Sequence, residues 1–564
     1  MSLNGALQIG RSAIVASQAA MQVAGNNMAN AATPGYHRRT VHLAGARDEI
    51  IVAGAFAGTG VQLQAIRREV DLALQARLRG ATSEQHANFI DQRFLTALET
   101  LQNELTDNDL SSALSDFFNS FSELANNPED HAIRSLVVET GLALADRIAA
   151  MGQSYQKTID EIDRSLGTSV IQANSLLDGI ALLNSQITQT EQGANEAGNL
   201  RDRRDLLIDE LSEFIEITVI EGASGSVDIL VDSVPVLLAG VDRGLEIRTQ
   251  TVNGQLEVSL RVAADGTQLQ ANSGSIGGLL RQRVDTIEPA IDDLDTFANQ
   301  LIYQVNRTHS QGQGRGGFES VAGSELVDDT TLSLNNVDVG LDYQVDNGSF
   351  FIHVTHQGTG VRTTHQINVD GNADSLDDLI NEINIAVGVP NVTAGAGPGG
   401  VFTLTAATGF EISFSDDTSG ALAALGVNTF FTGSNASTMG INQTIQGNPN
   451  MLAAGAGHVQ GSNDTALALA NLQDAPLTEL NDRSLRDFWH DSVNSLAVKT
   501  NAASLRVQSS TLVRESLDAQ VQSVSGVSLD EELINLLLFQ RQFQAAARFI
   551  AVIDETIQTL LAIA

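Results

Sequence analysis

Residues 525–564 read SGVSLDEELINLLLFQRQFQAAARFIAVIDETIQTLLAIA. Apolar side chains recur every seven residues along this stretch, at Leu529, Leu536, Phe543, Ile550 and Ile557. A second series with the same spacing runs beside the first, at Phe539, Ala546, Ile553 and Leu560. Spacing of seven keeps one stripe of a helix turned toward a partner helix. The C-terminus is therefore predicted to be a long helix that packs along another helix.

The N-terminus carries a matching but thinner pattern. Apolar residues recur every seven positions at Leu7, Ile14, Met21 and Met28. The companion positions are mostly small or polar, at Leu3, Gly10, Ser17 and Ala24. The N-terminal stripe has small companion side chains and the C-terminal stripe has large ones. This difference favours pairing between the two unlike helices over a symmetric zipper of identical helices. Amphipathic helices on a globular core show nearly the same spacing, so the periodicity alone leaves that interpretation open.

Composition excludes several classes of protein. The 564 residues include 68 acidic and 31 basic ones, for a formal net charge of −37, which disfavours nucleic acid as a partner. Residues 1–47 are an exception, because they contain arginines and no acidic residue. The absence of cysteine excludes disulfides and thiolate metal sites. The length predicts about three or four domains.

No membrane span or secretory signal is expected. The richest apolar run, Leu533 to Phe539, is far shorter than the roughly 18 residues of a span and already contains Asn535. Near the N-terminus, Arg11 and Gln18 interrupt the apolar runs, so a Sec-type signal peptide is not predicted.

Between the two ends, helical and strand-like segments alternate. The first helix is expected to stop at Asn30, before a type II turn at Thr33-Pro34-Gly35-Tyr36 in which proline and glycine supply the required φ angles. A short strand is expected at 37–43, helices over 69–214, strands from 215, and a helix over 276–306. A second strand-rich segment precedes the last helices, which begin near Asn463.

The predicted fold class is multidomain α+β, with paired terminal helices and a helical rod domain that carries two inserted β-rich domains. The terminal helical domain comprises 1–60 and 515–564, and the rod domain comprises 61–214, 275–318 and 455–514. The β-rich domains are 215–274 and 319–454. The two chain ends are expected to lie side by side.

Candidate chemical sites are weak. His353 and His356 have an odd spacing in a strand and point to opposite faces, so together with His365 they are expected to be surface histidines rather than metal ligands. The segment 370–381 imitates a calcium loop, but Ser375 replaces the glycine and Asn381 the glutamate that such a loop needs.

The glycines at 312–317 lack the lysine and the strand-to-helix setting of a phosphate loop, and a flexible linker is predicted instead. No catalytic residue, cofactor or metal site is expected anywhere in the chain.

Two terminal segments carry specific information. Residues 27–36 read NMANAATPGY, and residues 525–532 read SGVSLDEE. Ser528 and Glu531 have the spacing of a capping box, and the acids favour the positive start of a helix. Together the segments resemble the terminal signatures of flagellar axial proteins. Within that superfamily the chain most resembles the FlgK family, on the supporting stretches 199–207, 274–279 and 464–473. The resemblance covers the chain except roughly 320–450.

The resemblance implies a structural adaptor that forms a ring between the flagellar hook and the filament. The implied partners are further copies of the chain, the hook protein below, and a second junction protein and the filament above. An FlgN-type chaperone would hold the C-terminal helix before export through the flagellar apparatus, which would leave the protein outside the cell without cleavage of a signal peptide.

Two groups of residues are assigned on this basis. The expected assembly interface comprises Leu3, Leu7, Ile14, Met21, Met28, Leu529, Leu536, Phe539, Phe543, Ile550, Ile553, Ile557 and Leu560. The expected turn and cap comprise Asn30, Thr33, Pro34, Gly35, Tyr36, Ser528 and Glu531. The alternatives are another axial protein of hook, cap or filament type, or a secreted cell-wall hydrolase, for which no convergent polar set is found.

Overall fold

The computed structural model describes residues 3–52, 55–104, 109–191, 196–252, 255–388, 391–457 and 459–563. The chain divides into two compact units. Unit 1 comprises Met1–Phe94, Glu161–Arg283 and Ala502–Ala564, and unit 2 comprises Leu95–Asp160 and Val284–Asn501. The predicted division into terminal, rod and two β-rich domains stays a prediction.

The first part of the chain is mainly helical. Its elements are α1 (Leu3–Ala29), β1 (Arg39–Gly45), β2 (Glu49–Val52), β3 (Ala55–Ala57), β4 (Val61–Arg68), α2 (Leu72–Gln102), α3 (Leu110–Asn126), α4 (His131–Thr190) and α5 (Gly198–Phe214). Strands then follow: β5 (Thr218–Glu221), β6 (Val227–Val231), β7 (Val234–Leu238), β8 (Val241–Asp242), β9 (Leu245–Val252), β10 (Gln255–Val262) and β11 (Gln268–Leu269).

Helices return as α6 (Gly274–Gln282) and α7 (Glu288–Ser310), with a π-helical turn between them. The second strand-rich segment contains β12 (Ser320–Ala322), β13 (Gly348–His356), β14 (Arg362–Val369), α8 (Leu376–Ile383), β15 (Val392–Ala396), β16 (Phe402–Ala406), β17 (Phe410–Ser415), α9 (Ala421–Ala424), β18 (Phe431–Thr432), β19 (Gly440–Ile441) and α10 (Gln443–Gly447). The chain ends with α11 (Asp464–Asn471), α12 (Leu485–Ser525) and α13 (Leu529–Ile563).

The sheets of unit 1 are small and antiparallel. Strands β5 to β8 form one sheet in chain order, and β11, β10 and β9 form another. In β6 the residues Val227, Ile229 and Val231 are buried while their neighbours are half-buried, which is the period of two expected of a strand with one covered face.

The sheets of unit 2 have the orders β14-β13-β17 and β12-β16-β15, with β18 and β19 paired separately. Helices and antiparallel sheets occupy separate stretches of the chain, so the α+β class is confirmed.

A cluster of aromatic rings fills part of the core of unit 2. Its five members, with ring centroids 4.7 to 6.0 Å apart, are Phe117, Phe118, Phe121, Phe430 and Phe431. Most of the pairs are edge-to-face, which suits the quadrupoles of the rings. The cluster joins α3 to the segment around β18.

One region was under-predicted. The sequence indicates a single short strand at 37–43, but residues 39–68 form β1 paired with β4 and, between them, β2 paired with β3. The first five residues of β4, Val61 to Ala65, alternate apolar and polar side chains, which is a strand pattern that the prediction overlooked. The alternation is short and ends at Ile66-Arg67-Arg68, and the strand is mostly exposed.

The linker prediction for the glycine-rich segment is wrong. A Cβ atom on Gly312 would lie 2.6 Å from Thr465 Cγ2, and one on Gly314 would lie 2.5 Å from the carbonyl oxygen of Asn450. The glycines are needed because other parts of unit 2 approach this backbone closely. The segment is packed against the fold.

Helix α4 contains an 18-residue window that could cross a bilayer by length and composition, and 33% of that window is buried. No such window was expected from the apolar runs of the sequence, so that expectation is corrected. A single helix of this kind is weak evidence for a membrane span, because long core helices of soluble proteins meet the same criterion.

The terminal helices α1 and α13 pack against each other through small residues. A Cβ atom on Gly10 would lie 2.5 Å from Ile550 Cγ1 and 3.3 Å from Phe549 Cδ1. The buried residues of α1 are Gly10, Ala16, Ser17, Ala20, Ala24 and Asn27. The thin companion series of the sequence analysis, and not the Leu7 series, thus lies at the centre of this contact. Small residues permit the close approach of the two backbones.

Two histidines of unit 2 are buried. His309 is fully buried, its Nδ1 lies 2.8 Å from the carbonyl oxygen of Asn428, and the N–H of Ala453 donates to its Nε2 at 2.9 Å. The imidazole is therefore neutral with its proton on Nδ1. Burial lowers the pKa of His309 to about 4. His353 is also buried, with its nitrogens 2.9 Å from Thr364 Oγ1 and Ser415 Oγ, so the prediction that it lies at the surface is wrong.

The α1–α13 contact predicts a disulfide. A Cβ atom on Gly10 would lie 2.5 Å from Ile550 Cγ1, which is itself one bond from the Ile550 Cβ. The two Cβ atoms of a Gly10→Cys/Ile550→Cys pair would therefore be at most about 4 Å apart, which suits the roughly 3.5–4.5 Å Cβ separation of a disulfide. The chain has no other cysteine, so oxidation should produce a single intrachain crosslink, visible as faster migration in a non-reducing gel.

The matched control is Gly25→Cys/Ile550→Cys, because Gly25 is on the same helix and a Cβ there has no neighbour within 4 Å. Equal crosslinking of the two pairs would contradict the observed packing.

The buried histidines predict acid lability of unit 2. The pKa of His309 is lowered in the fold, so its contribution to stability is complete above about pH 6.5 and is lost as the pH falls toward 4. At pH 5 the loss should be about 2 kcal/mol in the free energy of unfolding.

Denaturant titrations from pH 7 to 4.5 measure this loss. His309→Gln should be less stable at pH 7 but should have a flatter pH profile, whereas the exposed control His490→Gln should keep the wild-type slope. An unchanged slope in His309→Gln would refute the assignment.

Candidate assembly site at the terminal helices

Three chain-distant segments meet in unit 1: residues 27–36, residues 199–207 on α5, and residues 525–532 between α12 and α13. The N–H of Arg38 donates to the carbonyl oxygen of Ser525 at 2.9 Å. On the other side, a Cβ atom on Gly35 would lie 3.3 Å from Leu206 Cβ. The segments on which the family resemblance rests are thus brought to one place.

The turn after α1 has the expected geometry. The N–H of Tyr36 donates to the carbonyl oxygen of Thr33 at 3.2 Å, and Gly35 has a φ of +71°. Helix α1 ends at Ala29, and the N–H of Asn30 bonds back to Asn26 and Asn27 at its last turn. A positive φ at the third turn position favours glycine, and the close approach of Leu206 leaves no room for a side chain. The turn is therefore fixed by its own backbone hydrogen bond and by its contact with α5.

A buried polar contact connects α1 to α13. Asn27 is fully buried, and Glu532 is 3% exposed. Asn27 Nδ2 donates to Glu532 Oε2 at 3.1 Å and to the carbonyl oxygen of Arg39 at 2.9 Å. In return, the N–H of Arg39 donates to Asn27 Oδ1 at 3.1 Å, and Tyr36 Oη donates to the same oxygen at 2.8 Å. Every polar atom of the Asn27 side chain is therefore engaged.

Arg38 supplies the charge that Glu532 needs. Its Nε donates to Glu532 Oε1 at 2.8 Å, and its Nη1 lies 3.1 Å from Glu531 Oε2. The N–H of Glu531 donates to Ser528 Oγ at 3.4 Å, which is the first half of the predicted capping box. The Glu531 carboxylate pairs with Arg38, the residue before β1, instead of accepting a hydrogen bond from the Ser528 backbone as the second half of a capping box would require. The start of α13 is thereby tied to the N-terminal segment.

Asp202 on α5 is the centre of a second buried cluster. Its Oδ1 lies 2.9 Å from His37 Nδ1 and 3.0 Å from Arg68 Nη1, and its Oδ2 lies 2.9 Å from Arg39 Nη2. The side chains of His37, Arg68 and Asp202 are all less than 10% exposed. Burial by itself would raise the pKa of Asp202, but hydrogen bonds from His37, Arg68 and Arg39 outweigh it and lower the pKa below its ordinary value.

The neighbours of Asp202 are themselves fixed. Gln75 Nε2 lies 2.8 Å from His37 Nε2, which assigns the acceptor role to Nε2 and the proton to Nδ1, facing Asp202. Arg68 Nη1 also lies 2.7 Å from Asp205 Oδ2. Burial lowers the pKa of Arg68 but the Asp205 charge more than offsets this, so the pKa of Arg68 is raised. Each arginine of the cluster therefore lies beside a carboxylate, Arg39 beside Asp202 and Arg68 beside both Asp202 and Asp205.

Sequence reasoning missed Asn27, His37 and Asp202 as site residues, although Asn27 and Asp202 lie in the segments quoted for the resemblance. A usable signal was present. Residues 1–47 contain Arg38 and Arg39 but no acidic residue, so any buried partner of these arginines had to come from elsewhere in the chain. Spacing alone could not identify which of the many acids it would be.

The predicted interface residues differ in burial. Of the expected set, the described side chains that are half-buried are Leu7, Ile14, Met21, Met28, Leu536, Phe539, Phe543, Ile550 and Ile557. Ile553 is buried, whereas Leu3, Leu529 and Leu560 are 37%, 57% and 53% exposed. The α1–α13 contact therefore covers the expected stripe only in part.

Helix α13 also carries a second apolar stripe, which the sequence analysis did not single out. Ile534, Leu538 and Val552 are 66%, 50% and 60% exposed. At 100° per residue they lie roughly opposite Leu536. Phe549 is 43% exposed and also reaches α1, because its Cδ1 would lie 3.3 Å from a Cβ atom on Gly10. A set of exposed apolar side chains on one helix face is typical of a protein interaction surface.

No group of three or more histidine, aspartate or glutamate residues is placed to hold a metal ion within the described ranges. The segment proposed and rejected as a calcium loop forms local turns: the N–H of Asp370 donates to Asp374 Oδ2 at 2.7 Å.

The Asp202 cluster predicts a strong effect of charge removal. Asp202→Asn would leave Arg39 without a carboxylate partner in a buried setting, so the local opening free energy of 199–207 should fall by about 3 kcal/mol. Hydrogen exchange of that segment measures the change. Glu161→Gln is the control, because it removes a carboxylate from an exposed pair with Arg93 and should cost less than about 1 kcal/mol. Equal effects would contradict a special role of Asp202.

Comparison with known proteins gives consistent matches. The family model "Flagellar hook-associated protein FlgK helical domain" matches residues 95–325, and "Flagellar basal body rod FlgEFG protein C-terminal" matches residues 519–563. The "Flagellar hook-associated protein 1" of Bacillus subtilis (strain 168) is 27% identical over 570 residues, which cover 98% of this chain and 97% of the relative. The protein of the same name from Escherichia coli (strain K12) is 26% identical and covers 98% of both chains.

A solved structure, that of the flagellar hook junction protein FlgK from Burkholderia pseudomallei, has the same fold. Its sequence is 17% identical to this chain, and the TM-score of the two structures is 0.51. The match covers 80% of this chain and 100% of the solved chain. The helical-domain model, the axial C-terminal model and the near-full-length relatives all agree with the terminal signatures found at one place in unit 1, so the chain is similar over nearly its whole length to flagellar hook-associated proteins of the FlgK family.

Proposed function

We propose that this chain is a structural junction protein of the bacterial flagellum, which joins the hook to the filament by assembling through its terminal helices. It performs no catalytic step. The observation that carries the proposal is the α1–α13 pair, whose second apolar stripe on α13 remains exposed in the single chain. The near-full-length likeness to two proteins named for their association with the hook supports it.

The stripe gives the proposal its mechanism. Exposed apolar side chains at Ile534, Leu538 and Val552 lose their contact with water when a neighbouring subunit covers them, which is favourable by roughly 25 cal/mol for each Å² removed from water. Repeated around a ring, the same contact closes the structure on itself. Further copies of this chain are the first proposed partners, with hook protein below and a second junction protein and the filament above.

Both termini are proposed to be mobile in the free monomer and to become ordered at the hook tip. Of the described side chains on α13, only Glu532, Ala546 and Ile553 are buried. The burial of so few side chains offsets little of the conformational free energy, roughly 1–2 kcal/mol per residue, that ordering the backbone costs. A mobile C-terminal helix could also be held by an FlgN-type chaperone and could pass through the flagellar export channel to the outside of the cell.

Hydrogen exchange on the purified monomer tests this mobility. We expect fast exchange over 3–30 and 529–563, slow exchange in the buried parts of α4 and α7, and protection of both termini after assembly. Slow exchange of the termini in the monomer would refute assembly-coupled ordering.

A charge in the stripe between the terminal helices should prevent assembly. Phe543→Asp would bury an unpaired carboxylate against α1, so filament growth should be lost while the core of unit 2 stays folded. Gln544→Asp adds the same charge at an exposed position of the same helix and should leave filaments intact. Normal filaments in the Phe543→Asp strain would count against the role of the helix pair.

Imaging a deletion strain distinguishes the junction role from other axial roles. Loss of a junction protein should leave complete hooks without filaments, and loss of a hook-type protein should leave no hooks. The C-terminal family match is shared with rod and hook proteins, so this distinction depends on the cell phenotype. A strain with normal filaments would refute every axial role.

A further inference from the structure

Unit 2 contains an arginine-lined cleft of about 360 Å³. Its walls come from the start of α4, the glycine-rich segment, β14 and β17, and the loop before α11. Three guanidinium groups, from Arg134, Arg315 and Arg362, and two carboxylates, from Glu129 and Glu411, belong to its lining. The excess of positive charge stands out in a chain whose formal net charge is −37.

Arg134 is the least exposed of these groups and, within the described ranges, forms no ion pair with a carboxylate. It is 3% exposed, its Nε donates to the carbonyl oxygen of Pro128 at 2.8 Å, and its Nη1 donates to that of Leu452 at 2.6 Å. Burial lowers the pKa of Arg134 to about 10, and the nearby charge of Arg315 adds to the effect.

This arrangement differs from that of most other buried arginines among the described residues. Arg68, Arg79, Arg201 and Arg283 each lie within 3.0 Å of a carboxylate oxygen, and Arg204 lies 3.7 Å from one. A buried guanidinium without such a partner is costly, because its lost hydration is not replaced by an opposite charge. In the part of the chain that the structure describes, Arg315 and Arg362 likewise have no carboxylate within ion-pair distance. The cleft therefore holds three guanidinium groups against two carboxylates, Glu129 and Glu411, and in the described ranges none of the three lies within ion-pair distance of a carboxylate.

The remaining polar groups of the lining are partly occupied. Glu411 Oε2 accepts from the N–H of Gly317 at 3.3 Å, and Arg315 Nη1 donates to the backbone carbonyl oxygen of Glu129 at 3.1 Å. A Cβ atom on Gly314 would lie 2.5 to 2.9 Å from backbone atoms of Asn450 and Met451. The glycine-rich wall can therefore approach this backbone only because residue 314 has no side chain. The packed glycine segment thus positions Arg315 at the edge of the cleft.

We propose that this cleft is a binding site for a small tetrahedral oxyanion of the phosphate class. A planar carboxylate is satisfied by one bidentate arginine, whereas a tetrahedral dianion offers oxygens in several directions to guanidinium groups that come from separate chain segments. Inorganic phosphate and phosphomonoesters share this chemistry. The site does not depend on the junction role and lies apart from the α1–α13 contact in the sequence and in the division into units.

Phosphorus NMR on the full-length chain tests the proposal at constant ionic strength. The probes are inorganic phosphate and glycerol 3-phosphate, with succinate as the carboxylate competitor. Both phosphorus resonances should shift or broaden saturably, and succinate should compete at least tenfold less well than phosphate. A response to phosphate alone assigns the free ion as the ligand, and an equal or stronger response to the ester assigns a phosphate-bearing molecule.

Variants locate the site. Because Arg134 is buried and its replacement can disturb folding, the test uses the exposed residues: Arg315→Gln and Arg362→Gln should each weaken binding at least tenfold. Arg486→Gln is the control, since it removes an exposed arginine of unit 2 that pairs with Asp474 away from the cleft lining. No saturable response in the wild type, equal competition by succinate, or the same affinity in all three variants would overturn the proposal.

Discussion

The buried polar contacts around Asn27, Glu532 and Asp202 constrain the arrangement of the chain ends. They join segments that are 505 residues apart in the case of Asn27 and Glu532. Hydrogen bonds among buried groups are directional, and leaving one unmade costs more than forming it contributes, so a displaced register would be penalised at several atoms together. The apolar stripes bring the helices together without fixing their alignment. The polar cluster supplies the alignment.

In the α1–α13 pair, small and large residues have different roles. Gly10, Ser17 and Ala24 permit close packing of α1 on α13, while the larger side chains at Leu7, Ile14 and Met21 are only half-buried. On α13, large side chains face both toward α1 and away from it. A helix with apolar residues on two opposite faces satisfies only one of them within its own chain. This property connects the local sequence to the proposed assembly.

Much of the secondary structure followed from sequence patterns. Strands begin at Thr218, close to the predicted start at 215, and α1 ends where Asn30 and the TPGY turn indicate. Patterns failed where partners far along the chain decide the outcome. His353 is buried beside Thr364 and Ser415, and the glycine-rich segment is packed because Thr465 and Asn450 approach it.

The sequence by itself determined that the ends form long apolar-striped helices, that a turn follows the first of them, and which family the chain resembles. These features depend on spacing and on φ preferences, which are local. Only the tertiary structure decided that the small-residue series forms the α1 contact, that Asp202 is the partner of His37 and Arg39, and that Arg134 forms no ion pair with a carboxylate of the described residues. The physical reason is that burial and charge pairing are properties of surroundings, and residues hundreds of positions away supply those surroundings.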